Sequence, residues 1–213
     1  MYTDKKECAQ AIKANGGYCP CKFERNEDTV CPCKEYRTTG ECECGMFEPK
    51  IRFETVSSDQ YDKDYNQTDA KLSQTPQMDQ WINVVLPSRA TEGSAGYDFV
   101  LPYAFTFYPD QRYVIPTGIR CRLPKDKVLI IVPRSSMGFK YGMRLSNTVG
   151  VIDSDYYNAD NEGHILLAIT VDKPVTVKAG ERICQGIILP YYTTFNDEPR
   201  STIRTGGIGS TGV

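Results

Sequence analysis

The chain has 213 residues, of which 24% are charged, and a formal net charge of −2, a size that suits one medium domain and a small one. The slightly negative charge argues against a general nucleic-acid-binding protein, which would carry a basic excess. No apolar run approaches the roughly 18 residues that span a bilayer, and no signal-peptide core is present, so we expect a cytoplasmic protein with no membrane partner.

Residues 1–48 are predicted to form a small cysteine-rich domain. Residues 3–15 have the pattern of a short N-capped helix that ends at Gly16-Gly17. Seven of the nine cysteines lie in the first 44 residues, and a dense cluster without an export signal favours metal or redox chemistry over structural disulfides. Six of them form three Cys-x-Cys pairs, Cys19/Cys21, Cys31/Cys33 and Cys42/Cys44. Because such a pair tends to splay its sulfurs, the six can divide into four cluster ligands and one redox pair.

This cysteine pattern resembles the catalytic subunit of ferredoxin:thioredoxin reductase over about residues 5–48. The resemblance implies a small α-helical iron–sulfur domain, with ferredoxin or a thioredoxin-like protein as partner. By position, the [4Fe–4S] ligands would be Cys19, Cys31, Cys33 and Cys42, and the redox-active disulfide would join Cys21 and Cys44. Glu43 stands where the family has a histidine, a departure that concerns disulfide reduction more than cluster binding. A zinc site, or a cluster without turnover, is the alternative, and Cys8 has no assigned role.

The chain is predicted to change character after residue 48. Residues 49–80 are polar and are expected to be mainly an exposed linker and insertion, with a first strand within 51–60. From residue 81 onward, short runs rich in Val, Ile, Tyr and Phe alternate with Gly, Pro and Asp, which predicts an all-β barrel or double-sheet roll. Cys121 and Cys184 lie in apolar runs as core thiols. His164, the single histidine, is interpreted as an ordinary turn or strand residue.

Four segments in the predicted β region carry the groups that hydrolysis of a nucleoside polyphosphate requires: a positioned water, charge to neutralise phosphates and a means of excluding solvent. They are SAGYDF (94–99), PRSSMG (133–138), NTVGVIDSDYY (147–157) and RTGGIGSTGV (204–213). Asp153, at the end of an apolar run, is the candidate to activate water. Asp98 is the candidate to hold Mg²⁺ directly or through water.

These segments, together with GERICQGIILP (180–190), resemble the five ordered motifs of the trimeric dUTP diphosphatase (dUTPase) family over about residues 51–213. The resemblance implies a β jelly-roll homotrimer with active sites at subunit interfaces. It also implies a Mg²⁺-dependent enzyme that converts dUTP to dUMP and pyrophosphate. The dUTPase domain itself is placed at 81–213, with a C-terminal lid arm at 200–213.

The resemblance also assigns roles by motif position. Asp153 would activate the water that attacks the α-phosphorus, Asp98 would serve the metal, Asn147 would read uracil, and Tyr156 would pack on the deoxyribose and exclude a 2′-hydroxyl. Phosphates would be bound by Arg134, Ser135, Ser136 and Gln185, with Arg204 on the γ-phosphate. The arm with Ile208, Gly209, Ser210 and Thr211 would close over the nucleotide and expel water.

Two departures from the family pattern concern this site. Ile208 replaces the tail's usual aromatic, and the lost stacking of ~0.5–1.5 kcal/mol predicts weaker substrate binding rather than loss of chemistry. Residues 158–162 lengthen the turn after Tyr157. The dCTP deaminases share the fold, but their arginine-bearing serine motif and threonine–glutamate pair are missing here. A redox-switched enzyme and a regulatory protein that binds dUTP without hydrolysis are also compatible with the sequence.

Overall fold

The computed structural model describes residues 4–73 and 81–199. The chain divides into two compact units, Met1–Arg52 and Phe53–Val213. No helix in these described ranges combines the length and apolarity needed to cross a membrane.

The first unit contains two short helices, α1 (Lys5–Ala14) and α2 (Lys34–Thr39). The Asp4 carboxylate caps α1 by accepting hydrogen bonds from the backbone N–H groups of Lys6 and Glu7, which would otherwise lack partners. Gly16 and Gly17 follow with φ values of +68° and +89°, a backbone conformation that favours glycine and ends the helix. The predicted N-capped helix is therefore confirmed.

The second unit is mainly β, as predicted. Strand pairs with a defined register run antiparallel. Its two helices are α3 (Ser58–Gln67) and α4 (Ser135–Tyr141). The strands are β1 (Arg52–Thr55), β2 (Ser88–Arg89), β3 (Tyr97–Val100), β4 (Phe105–Phe107), β5 (Tyr113–Pro116), β6 (Ile119–Arg122), β7 (Lys127–Pro133), β8 (Arg144–Leu145), β9 (Gly150–Ile152), β10 (Leu166–Thr170), β11 (Val175–Val177) and β12 (Arg182–Pro190).

The largest sheet has the order β2-β3-β12-β7-β9, and smaller sheets pair β5-β10-β8, β11-β4 and β1-β6. Strand β10 alternates between half-buried and buried residues, as expected for a strand with one face on the core. The core includes the apolar faces of β4, β5 and β7 and both thiols predicted to be core residues, Cys121 and Cys184. Burial raises the pKa of each of these two thiols to about 12.

Residues 58–72 pack on the core of the second unit, so the prediction of an exposed loop is wrong for this stretch. Tyr61 and Tyr65 lie one turn apart on α3, with ring centroids 6.3 Å apart, and both are buried. Tyr65 also meets the ring of Tyr103 edge-on at 5.7 Å. The rest of the helix is polar, and tyrosines form its narrow buried stripe. Because the segment as a whole is polar, its composition does not indicate a helix with a buried face. The remaining predicted linker residues, 74–80, lie outside the described part.

We expect Tyr61→Ala to lower the free energy of unfolding by about 3–5 kcal/mol, because a fully buried aromatic side chain leaves a cavity. Tyr61→Phe should leave that free energy unchanged or raise it by up to about 1 kcal/mol, because the Tyr61 hydroxyl has no hydrogen-bond partner among the described residues. Urea denaturation of the three proteins measures both effects. An Ala variant as stable as the wild type would contradict the packing of α3.

Candidate functional sites

Strands β3, β7 and β12 bring four of the predicted phosphate and metal residues to one cavity of about 350 Å³. Gln185 on β12 lies opposite Asp98 on β3. Arg134 follows β7, and its backbone N–H donates to the carbonyl of Ile183 on β12 at 2.9 Å, so the loop after β7 is tied to the same strand. Asp98, Arg134, Ser135 and Gln185 all line the cavity. Sequence-distant motifs thus meet because their strands are neighbours in the sheet.

Two arginines, Arg134 in the cavity lining and Arg182 beside it, flank the one carboxylate of the described lining, Asp98. Asp98, with 12% of its side chain exposed, lies 3.0 Å from the Arg182 guanidinium through Oδ2 and 3.7 Å from Arg134 Nε through Oδ1. Two guanidinium groups around one carboxylate leave an excess of positive charge, which favours phosphate oxygens. Sequence analysis did not identify Arg182, although it begins the β12 segment that contains Gln185.

The Asp98 carboxylate fits a hydrated Mg²⁺ bound together with phosphates. Magnesium keeps several waters and takes one or two carboxylates plus substrate oxygens rather than a closed protein cage. Since Arg182 already donates to Asp98 Oδ2, the carboxylate would hold such an ion through an intervening water. Among the described lining residues, Asp98 is the carboxylate that could hold such an ion.

Asn147, Asp153 and Tyr156 belong to a second element, the segment around β9. Asp153 follows β9 directly and precedes a 3₁₀ turn, Ser154–Asn158. Asn147 is exposed between β8 and β9. Tyr156 is only 6% exposed, and its hydroxyl donates to the carbonyl oxygen of His164 at 2.6 Å. In the described ranges none of these three residues lines the cavity.

The remaining predicted residues fall into two groups. Ser136 lies on α4 next to Ser135 but is not part of the lining within the described chain. The tail residues Arg204, Ile208, Gly209, Ser210 and Thr211 lie outside the described residues. One chain therefore brings Arg134, Ser135 and Gln185 together and presents Asp153 on a separate segment.

His164 is not the ordinary turn or strand residue that was predicted. It is fully buried, and its Nδ1 lies 2.6 Å from Asp64 Oδ2 on α3. The backbone N–H of Gly118 donates to its Nε2 at 2.8 Å. Its partners are 100 and 46 positions away, so no local pattern around His164 could have indicated this role. Buried polar side chains of this kind need such partners, because an unpaired one is costly.

The first unit places its cysteines around a common centre. Cys8, Cys19, Cys33 and Cys44 are buried and pack together, with Cys21 and Cys42 against them. The sulfur atoms of Cys19, Cys21 and Cys44 all lie within 4.8 Å of one another, and Cys42 Sγ is 3.4 Å from Cys44 Sγ. Cys8, which had no assigned role, is thus part of this thiol centre, which we define as the six cysteines named here and Cys31.

The thiols of this centre are crowded and shielded from water, which disfavours their ionised forms in the absence of a metal. Burial raises the pKa of Cys31 to about 11, and the neighbouring thiols Cys19 and Cys42 contribute to this rise. Burial is also the main cause of the raised pKa values of Cys19, Cys21 and Cys44. Because crowded thiolates repel one another, several can ionise together only around a metal. Soft sulfur donors in this density suit zinc or an iron–sulfur cluster.

Glu43 takes part in an ion-pair network at the thiol centre. Its carboxylate lies 2.8 Å from Lys22 Nζ, which also contacts Glu35 at 2.6 Å. The hydrogen bond that Lys22 donates to Glu35, followed by the one to Glu43, raises the pKa of Lys22 and keeps it cationic.

Comparison with known proteins identifies relatives of the second unit. Residues 83–212 match the family model described as dUTPase. The deoxyuridine 5′-triphosphate nucleotidohydrolase of Lactococcus lactis is 43% identical over 132 residues, which cover 60% of this chain and 88% of that protein. The enzyme of the same name from Actinobacillus pleuropneumoniae serotype 5b is 38% identical over 136 residues, covering 60% of this chain and 87% of that protein.

Solved structures with the same fold include the dUTPase from Streptococcus mutans, with a TM-score of 0.51 and 33% identity, covering 67% of this chain and 98% of that one. A mutant dUTPase from phage phi11 of S. aureus, which coordinates a structural Mg(II) ion, has a TM-score of 0.50. It is 16% identical and covers 71% of this chain and 97% of that one, so this second likeness concerns the fold alone.

We expect Gly96→Ala to weaken binding of inorganic triphosphate roughly tenfold, because small displacements of binding groups are costly. A Cβ at this position would lie 2.6 Å from Gln185 Oε1 and 3.3 Å from Gln185 Cβ, so the Gln185 side chain would have to move within the cavity. Calorimetric titration measures the affinity. The matched control is Gly93→Ala, where a Cβ would meet nothing within 4 Å, and equal affinities of the two variants would contradict the assignment of this cavity.

Proposed function

The chain belongs to the dUTPase family, and from this we propose that it hydrolyses dUTP to dUMP and pyrophosphate. The observation that carries the proposal is the cavity where Asp98, Arg134, Ser135 and Gln185 meet, within the region that matches the family. An enzyme of this kind removes dUTP from the nucleotide pool and so keeps uracil out of DNA.

The residues of the cavity would bind the phosphates of dUTP. Arg134 offers a guanidinium, and the Ser135 hydroxyl and the Gln185 amide offer neutral donors. Arg182, now paired with Asp98, adds a second cation at the same edge of the sheet. Mg²⁺, when bound, would supply further positive charge to the phosphate oxygens next to Asp98. These groups would stabilise the charge that develops on the departing pyrophosphate.

Asp153 would activate the water that attacks dUTP. Its carboxylate would accept a proton from a water molecule while the water oxygen forms a bond to the α-phosphorus. The bond between the α-phosphorus and the oxygen that bridges to the β-phosphate breaks, and pyrophosphate leaves with its electron pair. Asp153 suits this role because it follows β9 directly, on a backbone held by pairing of β9 with β7.

Recognition of the nucleoside and closure of the site use the remaining residues. Asn147 would read uracil, and Tyr156 would pack on the deoxyribose and exclude a 2′-hydroxyl. Ser136 and Arg204 would complete the phosphate contacts. The arm with Ile208, Gly209, Ser210 and Thr211 would cover the nucleotide and exclude water, with Ile208 giving a weaker contact to uracil than an aromatic ring would.

A homotrimer accounts for the separation of the two groups of residues. The phosphate cavity and the Asp153 segment are distinct within one chain, so an active site that contains both can be completed by a neighbouring subunit. Val151, which lies two residues before Asp153, is 55% exposed although it is apolar, which suits a surface that a second copy covers.

The alternative that this chain is a dCTP deaminase is less well supported, because residues 83–212 match the dUTPase family.

For the first unit we propose a [4Fe–4S] cluster held by Cys19, Cys31, Cys33 and Cys42, with zinc as the competing occupant. Support comes from the convergence of these cysteines in the thiol centre. Cys21 and Cys44 would form the redox pair, since their sulfurs already lie within 4.8 Å of each other and of Cys19. Oxidation of this pair to a disulfide releases two electrons and two protons, which the disulfide of a thioredoxin-like protein would accept as it is reduced to two thiols. A ferredoxin-like protein would return electrons to the pair one at a time, with protons taken from solvent.

Asp153→Asn should lower kcat for dUTP by about 10²–10⁴-fold with little change in KM, because the amide cannot accept the proton from water. Release of pyrophosphate with Mg²⁺ present measures the rate. The control is Asp160→Asn on the neighbouring exposed loop, which should keep wild-type kinetics. A wild-type rate in Asp153→Asn would contradict the assignment of Asp153 as the residue that activates water. Tight dUTP binding by the wild type without turnover would instead favour a regulatory protein.

Anaerobically purified protein should be brown and contain about four iron atoms per chain. Cys33→Ser should lose most of this iron, because it removes a proposed ligand, whereas Cys121→Ala in the second unit should retain it. Metal analysis and the visible absorption spectrum measure both. Colourless protein with about one zinc per chain would overturn the cluster in favour of a zinc site.

A further inference from the structure

Helix α3 contacts the segment that follows Asp153 through a buried hydrogen-bonded chain. Asp64 Oδ2 on α3 accepts from Gln60 Nε2 at 2.8 Å and lies 2.6 Å from His164 Nδ1. The opposite ring nitrogen, Nε2, accepts from the backbone N–H of Gly118. The imidazole is therefore held from both sides, between α3 and the turn that joins β5 to β6.

These partners fix the tautomer of the imidazole. Because Nε2 accepts a hydrogen bond, the proton of the neutral imidazole lies on Nδ1 and is donated to the Asp64 carboxylate. Burial by itself would raise the pKa of Asp64, but hydrogen bonds from His164 and Gln60 bring it below its usual value. Asp64 is thus a buried carboxylate that needs both of its donors.

The same histidine holds the proposed deoxyribose-binding tyrosine through its backbone. The Tyr156 hydroxyl donates to the His164 carbonyl at 2.6 Å and accepts from Asn161 Nδ2 at 2.8 Å. The ring of Tyr156 is almost completely buried, so it has little freedom once its hydroxyl is bound. The position of the tyrosine ring therefore depends on where the peptide at residue 164 lies.

A second contact joins α3 to the same loop. Ser57, the N-cap of α3, donates its backbone N–H and its hydroxyl to the two carboxylate oxygens of Glu162, at 2.8 and 2.6 Å. A carboxylate at a helix N-terminus is favoured by the helix dipole. The loop that carries the 158–162 extension is thus bound at both Glu162 and His164 by one helix, which precedes the part of the chain that matches the family.

We propose that Asp64 and His164 are positioning residues that set the Tyr156 ring against the sugar, and thereby the selectivity for deoxyribose over ribose. This inference rests on the proposed function, because it takes Tyr156 as the residue that packs on the sugar. A ring held at a fixed distance excludes a 2′-hydroxyl, whereas a ring free to shift by a fraction of an ångström admits it. Helix α3 then stabilises the position of the nucleoside-binding tyrosine.

The test compares the affinities for the α,β-imido analogues of dUTP and UTP, measured by calorimetry with Mg²⁺ on the full chain. Asp64→Ala should lower the ratio of the two affinities about tenfold, the effect expected when a buried hydrogen bond to a charged group is lost. Asp64→Asn should largely restore the ratio, because its amide oxygen still accepts from Nδ1–H. Asp62→Ala, exposed on the same helix, should match the wild type.

This ratio separates positioning from stability, because a fraction of unfolded protein lowers both affinities equally and leaves their ratio unchanged. In a Tyr156→Phe background, Asp64→Ala should have much less effect on the ratio, since the contact to the His164 carbonyl is already absent. An unchanged ratio in Asp64→Ala would overturn the proposal that Asp64 and His164 position the Tyr156 ring. Failure of the wild type to hydrolyse dUTP would overturn the proposed function instead, and the analogue affinities distinguish the two results.

Discussion

The pairing of β12 with both of its neighbours is the constraint on which the phosphate site depends. Gln185 lies opposite Asp98 on β3 and opposite Val132 on β7, and Cys184 lies opposite Pro133, next to Arg134. A shift of one residue in this register would turn Gln185 to the other face of the sheet and separate it from Asp98. The three motifs form one cavity only in the observed register.

Close packing at Gly186 holds that register in place. A Cβ there would lie 2.8 Å from Leu129 Cδ1 and 2.9 Å from Phe99 Cε2, both buried core residues on the neighbouring strands. Only glycine fits without displacing them, so the position next to the functional Gln185 ties the site to the core. The chemistry of the cavity and the stability of the sheet therefore share the same few residues of β12.

Sequence reasoning identified the residues with local signatures and missed those defined by distant contacts. The Cys-x-Cys pairs and the ordered motifs around Asp98, Arg134 and Asp153 are short, dense patterns, and the motif order agrees with the family match. Helix α3 was missed because its buried stripe is formed by tyrosines within a polar segment. The role of His164 depends on Asp64, 100 positions away, and the place of Cys8 in the thiol centre depends on the fold of the whole unit.

A crystal structure with α,β-imido-dUTP and Mg²⁺ tests the central claim most directly, because it locates the triphosphate relative to both groups of residues. We expect phosphate oxygens within about 3 Å of Arg134, Ser135 and Gln185. An Asp153 carboxylate should contact a water in line with the α-phosphorus. A triphosphate bound away from the β12 cavity, or Asp153 carboxylates directed away from every α-phosphate of the assembly, would contradict it.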